Sequence, residues 1–244
     1  EHRQPASARE RNLRYNPLMS NLDGIFLDFY GTLASGDRAA VVAICARVIA
    51  DHHLPTTPDE LAVLWGRRYF AAIEDTDTPH FRLLSQIEHD TLIETVSGFG
   101  VHIDPDPYIV QFNEYLARPT LFEEVREVLD GLRVPVCIVS NADEKELRNA
   151  LEYHRLDIPY VVTSETAESY KPDARIFRYA LEVTGWRPER VIHVGDSLHS
   201  DVGGAKPLGI RTVWVHRSER ITDIGTETPD MTWPDLRPLL EIAG

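Results

Sequence analysis

The sequence has few cysteines, a shortage of basic residues and no long apolar segment, and each shortage excludes a class of protein. Its two cysteines, Cys45 and Cys137, lie far apart and outside any Cys-x-x-Cys pattern. This argues against a disulfide scaffold or a structural zinc site and fits a reducing compartment. No apolar run approaches the roughly 18 residues of a membrane span. With 25 basic against 39 acidic residues, the net charge is −14, which disfavours binding to nucleic acid or anionic lipid. We therefore expect a cytoplasmic protein that acts on a small anionic metabolite.

The first half of the chain combines a polar tail, one strand and a long helical stretch. Residues 1–18 are polar and arginine-rich, and we interpret them as a flexible tail outside the fold. The apolar run at 22–30 predicts a buried strand. Helical periodicity follows at 38–53, from 58 onwards, at 83–96 and at 105–117. We therefore predict that residues 36–120 form a small helical domain inserted after the first strand.

The second half alternates between short apolar strands and amphipathic helices. Strands are predicted at 135–140, 160–164, 190–195 and 211–215, and helices at 123–132, 143–153, 173–184, 200–208 and 234–242. This alternation predicts an α/β fold, in which a parallel sheet is covered by helices on both faces. We assign residues 19–35 and 121–244 to this core domain. Residues 217–233 have no pattern that predicts an element.

Polar residues follow four of the predicted strands, at the edge where open α/β sheets place their sites. In chain order they are Asp28 and Thr32, Ser140 and Asn141, Lys171, and Asp196 with Asp201. Each alone has a plainer role as a turn residue, a helix cap or a solvated lysine. Together, however, three crowded carboxylates repel one another unless a cation is present. Mg²⁺ prefers oxygen ligands and substrate phosphate, and with Lys171 it would neutralise the three charges. One carboxylate could then attack a phosphoryl group and form an aspartyl-phosphate.

Four ordered motifs carry a resemblance to the haloacid dehalogenase (HAD) superfamily. They are DFYGTL at 28–33, VSNAD at 139–143, YKPD at 170–173 and VGDSLHSDVGGAKPLG at 194–209. The resemblance extends over about residues 22–216 and implies a Rossmann-like core with an inserted helical cap of the C1 type. Four motifs in order are far more specific than any one of them.

The resemblance also implies a role for each motif residue. Asp28 is the nucleophile, Thr32 and Ser140 position the transferring group, and Lys171 neutralises charge. Asn141, beside Ser140, and Tyr30 are included with the catalytic residues. The expected Mg²⁺ ligands are Asp28, Asp196, Asp201 and the backbone carbonyl of Tyr30.

The two ends of this motif set favour different reactions. Family phosphatases carry an aspartate at the position of Tyr30, where it protonates the leaving oxygen and activates water. A phenol with a pKa of about 10 is a poor base at neutral pH. The D-x-Y-G-T-L form resembles the 2-haloacid dehalogenases, which need neither that acid nor a metal. The fourth motif, with both Asp196 and Asp201, is phosphatase-like. In addition, Trp65 is followed by Gly66 where those dehalogenases have a substrate-binding arginine.

We therefore predict a Mg²⁺-dependent phosphatase of a small phosphorylated metabolite. One alternative is a metal-independent 2-haloacid dehalogenase. Another is a catalytically weak HAD fold that binds a ligand or a partner protein. The sequence leaves open the substrate, the pathway and the oligomeric state. It also leaves open whether His199 or a residue of the helical insertion supplies an acid or base.

Overall fold

A computed structural model describes residues 22–75, 80–217 and 224–244, so the tail predicted at 1–18 lies outside the described residues. The strands, in chain order, are β1 (Gly24–Leu27), β2 (Ala34–Ser35), β3 (Thr120–Leu121), β4 (Val136–Ser140), β5 (Tyr160–Thr163), β6 (Val191–Gly195), β7 (Arg211–Val215) and β8 (Met231–Trp233). Six of them form one sheet in the order β5-β4-β1-β6-β7-β8, and all neighbouring pairs are parallel. This confirms the predicted α/β fold with a parallel sheet.

Helices cover the sheet and fill the insertion between β2 and β3. In chain order they are α1 (Asp37–His52), α2 (Pro58–Glu74), α3 (Leu84–Ser97), α4 (Asp106–Ala117), α5 (Val125–Gly131), α6 (Glu144–Tyr153), α7 (Ser164–Ala167), α8 (Ala174–Thr184), α9 (Gly203–Ala205) and α10 (Leu239–Ala243). The first four are the helices that helical periodicity predicted for the insertion. The division of the chain at residues 36 and 120 stays a prediction. Within the described residues, no helix has both the length and the apolar character needed to cross a membrane.

Strand β1 is apolar throughout because both of its faces are buried. Side chains alternate across a strand, so Ile25 and Leu27 pack into one core cluster, while Phe26 packs into another with Phe177 of α8. Phe29, two residues after β1, packs into the first cluster, as expected if side chains continue to alternate between the two faces of the sheet. Helices therefore lie on both faces of the sheet, as predicted.

Two strand pairings determine where the functional groups meet. β1 lies between β4 and β6, with Leu27 opposite Ile138 and Val194. The residues that follow these three strands therefore emerge side by side at one edge of the sheet. The short antiparallel pair β2–β3 joins the two points where the chain leaves and re-enters the core.

The structure differs from the predictions in three places. The helix predicted at 200–208 begins as a π turn at Leu198–Val202, continues through α9 and ends as a 3₁₀ turn at Lys206–Leu208. The last helix is shorter than predicted and starts at Leu239. Within the unassigned stretch 217–233, residues Met231–Trp233 form β8 at the edge of the sheet.

Candidate active site

Asp28 lies at the carboxyl edge of the sheet and has three side-chain hydrogen-bond partners. It directly follows β1 and is 5% exposed. Its Oδ1 accepts hydrogen bonds from Ser140 Oγ at 3.2 Å and from Lys171 Nζ at 2.7 Å. Its Oδ2 accepts from Thr32 Oγ1 at 3.0 Å. The sharp turn that returns Thr32 to Asp28 passes through Gly31, whose φ of 96° favours glycine. Three residues from three of the predicted motifs thus contact Asp28 directly.

Lys171 links Asp28 to a second buried carboxylate. Its Nζ also lies 2.7 Å from Asp201 Oδ1. Burial alone would lower the pKa of Lys171, but the charges of Asp201 and Asp28 outweigh this effect and raise the pKa above its ordinary value. Burial would likewise raise the pKa of Asp201, but Lys171 and His193 outweigh it and hold that pKa well below its usual range. Lys171 and Asp201 therefore both carry charge at neutral pH.

Asp196 completes a group of three carboxylates. Thr32 Oγ1 reaches its Oδ1 at 3.4 Å, and Trp214 Nε1 donates to its backbone carbonyl at 2.8 Å. One oxygen from each of Asp28, Asp196 and Asp201 lies within 4.8 Å of the others. Three carboxylates and one ammonium leave two negative charges, and the donors are all oxygens. These residues fit a divalent cation such as Mg²⁺. The Tyr30 carbonyl as a further ligand stays a prediction.

Asn141 and Tyr30 have partners that differ from those of the other predicted residues. The Asn141 side chain pairs with both backbone groups of Lys171: its Nδ2 donates to the carbonyl at 3.1 Å, and its Oδ1 accepts from the amide at 2.8 Å. It therefore positions the loop that carries Lys171. The Tyr30 hydroxyl donates to the Leu116 carbonyl of α4 at 2.8 Å. Burial raises the pKa of Tyr30 well above its ordinary value, so this phenol stays protonated.

Two residues that the sequence analysis did not single out, His193 and Arg217, contact residues of the site. His193 is buried in β6 and lies 2.9 Å from Asp201 Oδ1 through its Nε2. Its signal in the sequence was one polar residue inside an apolar strand. Arg217 donates to the Thr32 carbonyl at 2.7 Å and pairs with Glu124 at 2.8 Å. Arg217 lies in the stretch 217–233, where no pattern was available to identify it.

A cleft of about 1510 Å³ lies between the core and the inserted helices, and of the predicted site residues its lining contains Tyr30 and Asn141. These two residues line it from the core, and Trp65, Arg67 and Glu88 line it from the insertion. Arg67 is exposed. Its neighbour along the chain, Arg68, forms an ion pair with Glu94, with Nη1 at 3.8 Å from Oε2. His199, the candidate acid or base of the fourth motif, has its Nε2 at 3.6 Å from Glu74 Oε1. A catalytic role for His199 stays a prediction.

Comparison with known proteins gives two kinds of relative. An (S)-2-haloacid dehalogenase from Pseudomonas sp. (strain YL) is 24% identical over 231 residues, which cover 92% of this chain and 95% of that protein. A phosphoserine phosphatase from Thermus thermophilus is 46% identical over 67 residues, 28% of this chain and 26% of that protein. The structure of L-2-haloacid dehalogenase from Xanthobacter autotrophicus superposes with a TM-score of 0.75 at 20% identity, covering 90% of this chain and 97% of the other.

The family assignment follows from a match that spans the whole predicted motif set. The family model of haloacid dehalogenase-like hydrolases matches residues 22–209, from the start of β1 to beyond Asp201. Dehalogenases and phosphatases are both hydrolases, so the two kinds of relative agree on the class of enzyme. Because the family model covers most of the chain, the protein belongs to the haloacid dehalogenase-like hydrolases.

Proposed function

We propose that the protein is a Mg²⁺-dependent phosphatase that acts on a small phosphorylated metabolite. The observation that carries this proposal is the group formed by Asp28, Asp196 and Asp201 around the single ammonium of Lys171. Three carboxylates crowded around one ammonium repel one another unless a cation is present. Haloacid displacement needs no metal and gives no reason for this arrangement. The proposal therefore assigns the acidic group to a metal and the metal to phosphoryl transfer.

In this proposal Asp28 is the nucleophile. Its carboxylate oxygen bonds to phosphorus while the bond from phosphorus to the leaving oxygen breaks, and that oxygen takes the electron pair. Water then attacks the phosphorus of the aspartyl-phosphate, releases phosphate and returns the carboxylate. Thr32 and Ser140 hydrogen-bond to Asp28 and hold it in place. Lys171 offsets negative charge at the same oxygen. Mg²⁺, held by the three carboxylates, would supply positive charge for the phosphoryl oxygens.

The position of Tyr30 limits which leaving groups suit the enzyme. A general acid contributes about 10²–10⁴ to such rates. Here the residue two positions after the nucleophile is a phenol whose hydrogen is donated to the Leu116 carbonyl. Substrates whose leaving oxygen needs little protonation, such as acyl phosphates and phosphoanhydrides, are therefore favoured over simple alkyl phosphates.

The alternative function, a metal-independent 2-haloacid dehalogenase, is favoured by a different observation. The tyrosine at position 30 matches the first motif of those enzymes, and the dehalogenase relative aligns over 92% of the chain. In that reaction Asp28 would displace halide from carbon, and no leaving-group proton would be needed. The two functions share a nucleophile, so substitution of Asp28 alone does not separate them.

A paired assay separates them. Purified protein is given acetyl phosphate, p-nitrophenyl phosphate or 2-chloropropionate, each with Mg²⁺ and with EDTA, and phosphate and chloride release are measured. We expect phosphate release that requires Mg²⁺ and disappears in Asp28→Asn, which keeps the side-chain shape and removes the charge. Chloride release that persists in EDTA, without phosphatase activity, would establish the dehalogenase instead.

A further inference from the structure

One acidic side chain of the insertion lies buried in the cleft with an oxygen that has no partner. Glu88 of α3 lines the cleft and is 3% exposed. Within the described part of the chain, its Oε2 is buried and accepts no hydrogen bond. A buried carboxylate oxygen without a donor is costly, and native proteins rarely keep one without a use. Asn113 Oδ1, on the neighbouring helix α4, is a second buried acceptor without a partner in the same lining.

The acidic neighbours of Glu88 do not satisfy it. Asp143 accepts hydrogen bonds from the backbone amides of Leu84 and Ser85, so both of its oxygens are occupied. Glu146 is buried and lies 3.8 Å from the exposed Lys145. Burial, then the charges of Asp143 and Glu146, raise the pKa of Glu88 well above its ordinary value. Glu88 therefore favours its neutral, protonated form, and its ionised form has an unmet demand for a positive charge.

The arginines of the cleft do not meet that demand. The lining contains seven acidic residues and three arginines. Arg38 is paired with Asp59 at 3.1 Å, and Arg217 with Glu124 at 2.8 Å. The third, Arg67, is exposed to solvent, while Glu88 is buried. Three of the seven acidic residues of the lining, Glu88, Asp143 and Glu146, are buried.

Aromatic rings complete this wall of the cleft. Trp65, Tyr69 and Phe112 come from the insertion, and Tyr30 comes from the core. The polar hydrogens of two of these rings are already donated, from Trp65 Nε1 to Thr91 Oγ1 and from Tyr30 to Leu116. These rings therefore offer apolar surface and π-electrons to a ligand. Aromatic faces beside carboxylates are the chemistry that recognises ammonium groups.

We infer that the cleft binds an ammonium group carried by the substrate at the end remote from its phosphate, with Glu88 as the counter-ion. This inference rests on the proposed function for the phosphate end and adds the chemical class of the other end. It also opposes a 2-haloacid as substrate, since a carboxylate placed near Glu88 and Glu146 would be repelled. Ammonium binding is independent of the leaving group and can be measured without turnover.

Non-hydrolysable phosphonates provide the test. With Mg²⁺ present, calorimetry measures the affinity of 2-aminoethylphosphonate, n-propylphosphonate and 3-phosphonopropionate, which carry ammonium, methyl and carboxylate at the same position. Homologues one carbon longer adjust the reach. We expect the ammonium ligand to bind about tenfold more tightly than the methyl ligand, and the carboxylate ligand to bind most weakly. Glu88→Gln should abolish this preference, while Glu94→Gln, a solvent-exposed glutamate on the same helix, should retain it.

The outcomes that overturn the inference are distinct from a failure of the phosphatase proposal. Equal affinity for all three ligands, a preference for the carboxylate, or no measurable binding of the ammonium ligand would each reject the ammonium site. A preference for ammonium that survives in Glu88→Gln would reject Glu88 as the counter-ion. Phosphate release from acetyl phosphate is assayed on the same preparation, so loss of phosphatase function is detected separately from loss of this selectivity.

Discussion

At the scale of single residues, Tyr30 shows how one side chain joins catalysis to architecture. Its ring packs edge-on against Phe29 with centroids 4.9 Å apart, and its hydroxyl reaches α4 of the insertion. An aspartate at this position could act as an acid but could not span to Leu116. The chain thus has a structural donor where family phosphatases have an acid.

Substitution of Tyr30 separates these two properties. Tyr30→Phe removes only the hydrogen bond, so we expect a loss of about 1 kcal/mol in the free energy of unfolding and little change in turnover. Tyr30→Asp should lose at least as much stability, but raise turnover of alkyl phosphates about tenfold or more relative to p-nitrophenyl phosphate. Urea denaturation and steady-state kinetics measure the two effects. A folded Tyr30→Asp variant that is slower on both substrates would contradict the account of a missing acid.

Glu88 makes the stability of the protein depend on pH. Its pKa is raised in the folded state, so the folded protein holds a proton that the unfolded chain releases above pH 4.5, and stability falls as pH rises from there. Glu88→Gln removes this loss, and we expect it to raise the melting temperature at pH 7–8 by more than at pH 4–5. The charges that face Glu88 and add to the effect of burial on its pKa are those of Asp143 and Glu146. Equal shifts at both pH values would contradict the raised pKa.

At the scale of elements, the insertion is fastened to the core by a helix cap that crosses between them. Asp143, which follows β4, accepts from the backbone amides of Leu84 and Ser85 at the start of α3. Tyr170 adds a stacked contact with Phe81 and donates to the Arg82 carbonyl. The first turn of α3, and with it the helix that carries Glu88, is therefore positioned by core residues.

Removing the cap should loosen this junction. Asp143→Ala leaves two amides at a helix start without their acceptor, and we expect a loss of about 1–2 kcal/mol in the free energy of unfolding. Asp143→Asn keeps one acceptor oxygen and should lose clearly less. Urea denaturation gives the stability, and hydrogen exchange of the first turn of α3 locates the change. Unchanged exchange in Asp143→Ala would show that the cap does not hold this helix.

The elements that could be predicted are those whose signal is local. β1 was identifiable because burial of both faces makes it apolar, and α8 because its apolar residues recur at helical spacing. β8, by contrast, has three residues and pairs at the sheet edge, so no run of apolar residues reveals it. The strands β2 and β3 have two residues each and exist only through their pairing with one another.

At the scale of the whole molecule, the same distinction separates the predicted catalytic residues from the wall of the cleft. Asp28, Ser140, Lys171 and Asp196 could be placed together from sequence because parallel strands bring their carboxyl ends to one edge. The wall that carries Glu88 could not, because its position depends on how the insertion docks onto the core. That docking uses single contacts, such as Tyr170 with Arg82, which leave no periodic pattern in the sequence.

The net charge of −14 attracts cations to the whole protein, so a test of metal binding has to separate the site from this general attraction, and stability measurements can do so. A ligand that binds only the folded state adds about 2.7 kcal/mol at a concentration one hundred times its Kd. We therefore expect Mg²⁺ to raise the melting temperature of the wild-type protein.

Asp196→Ala removes one of the three carboxylates and should lose most of this rise in melting temperature. The metal-free form of this variant should be at least as stable as the wild-type protein, because repulsion with Asp28 and Asp201 is relieved. Asp157→Ala, an exposed aspartate elsewhere on the surface, is the matched control and should respond to Mg²⁺ like wild type. If Asp196→Ala keeps the full rise while Asp157→Ala behaves as expected, the acidic group is structural and the metal binds elsewhere.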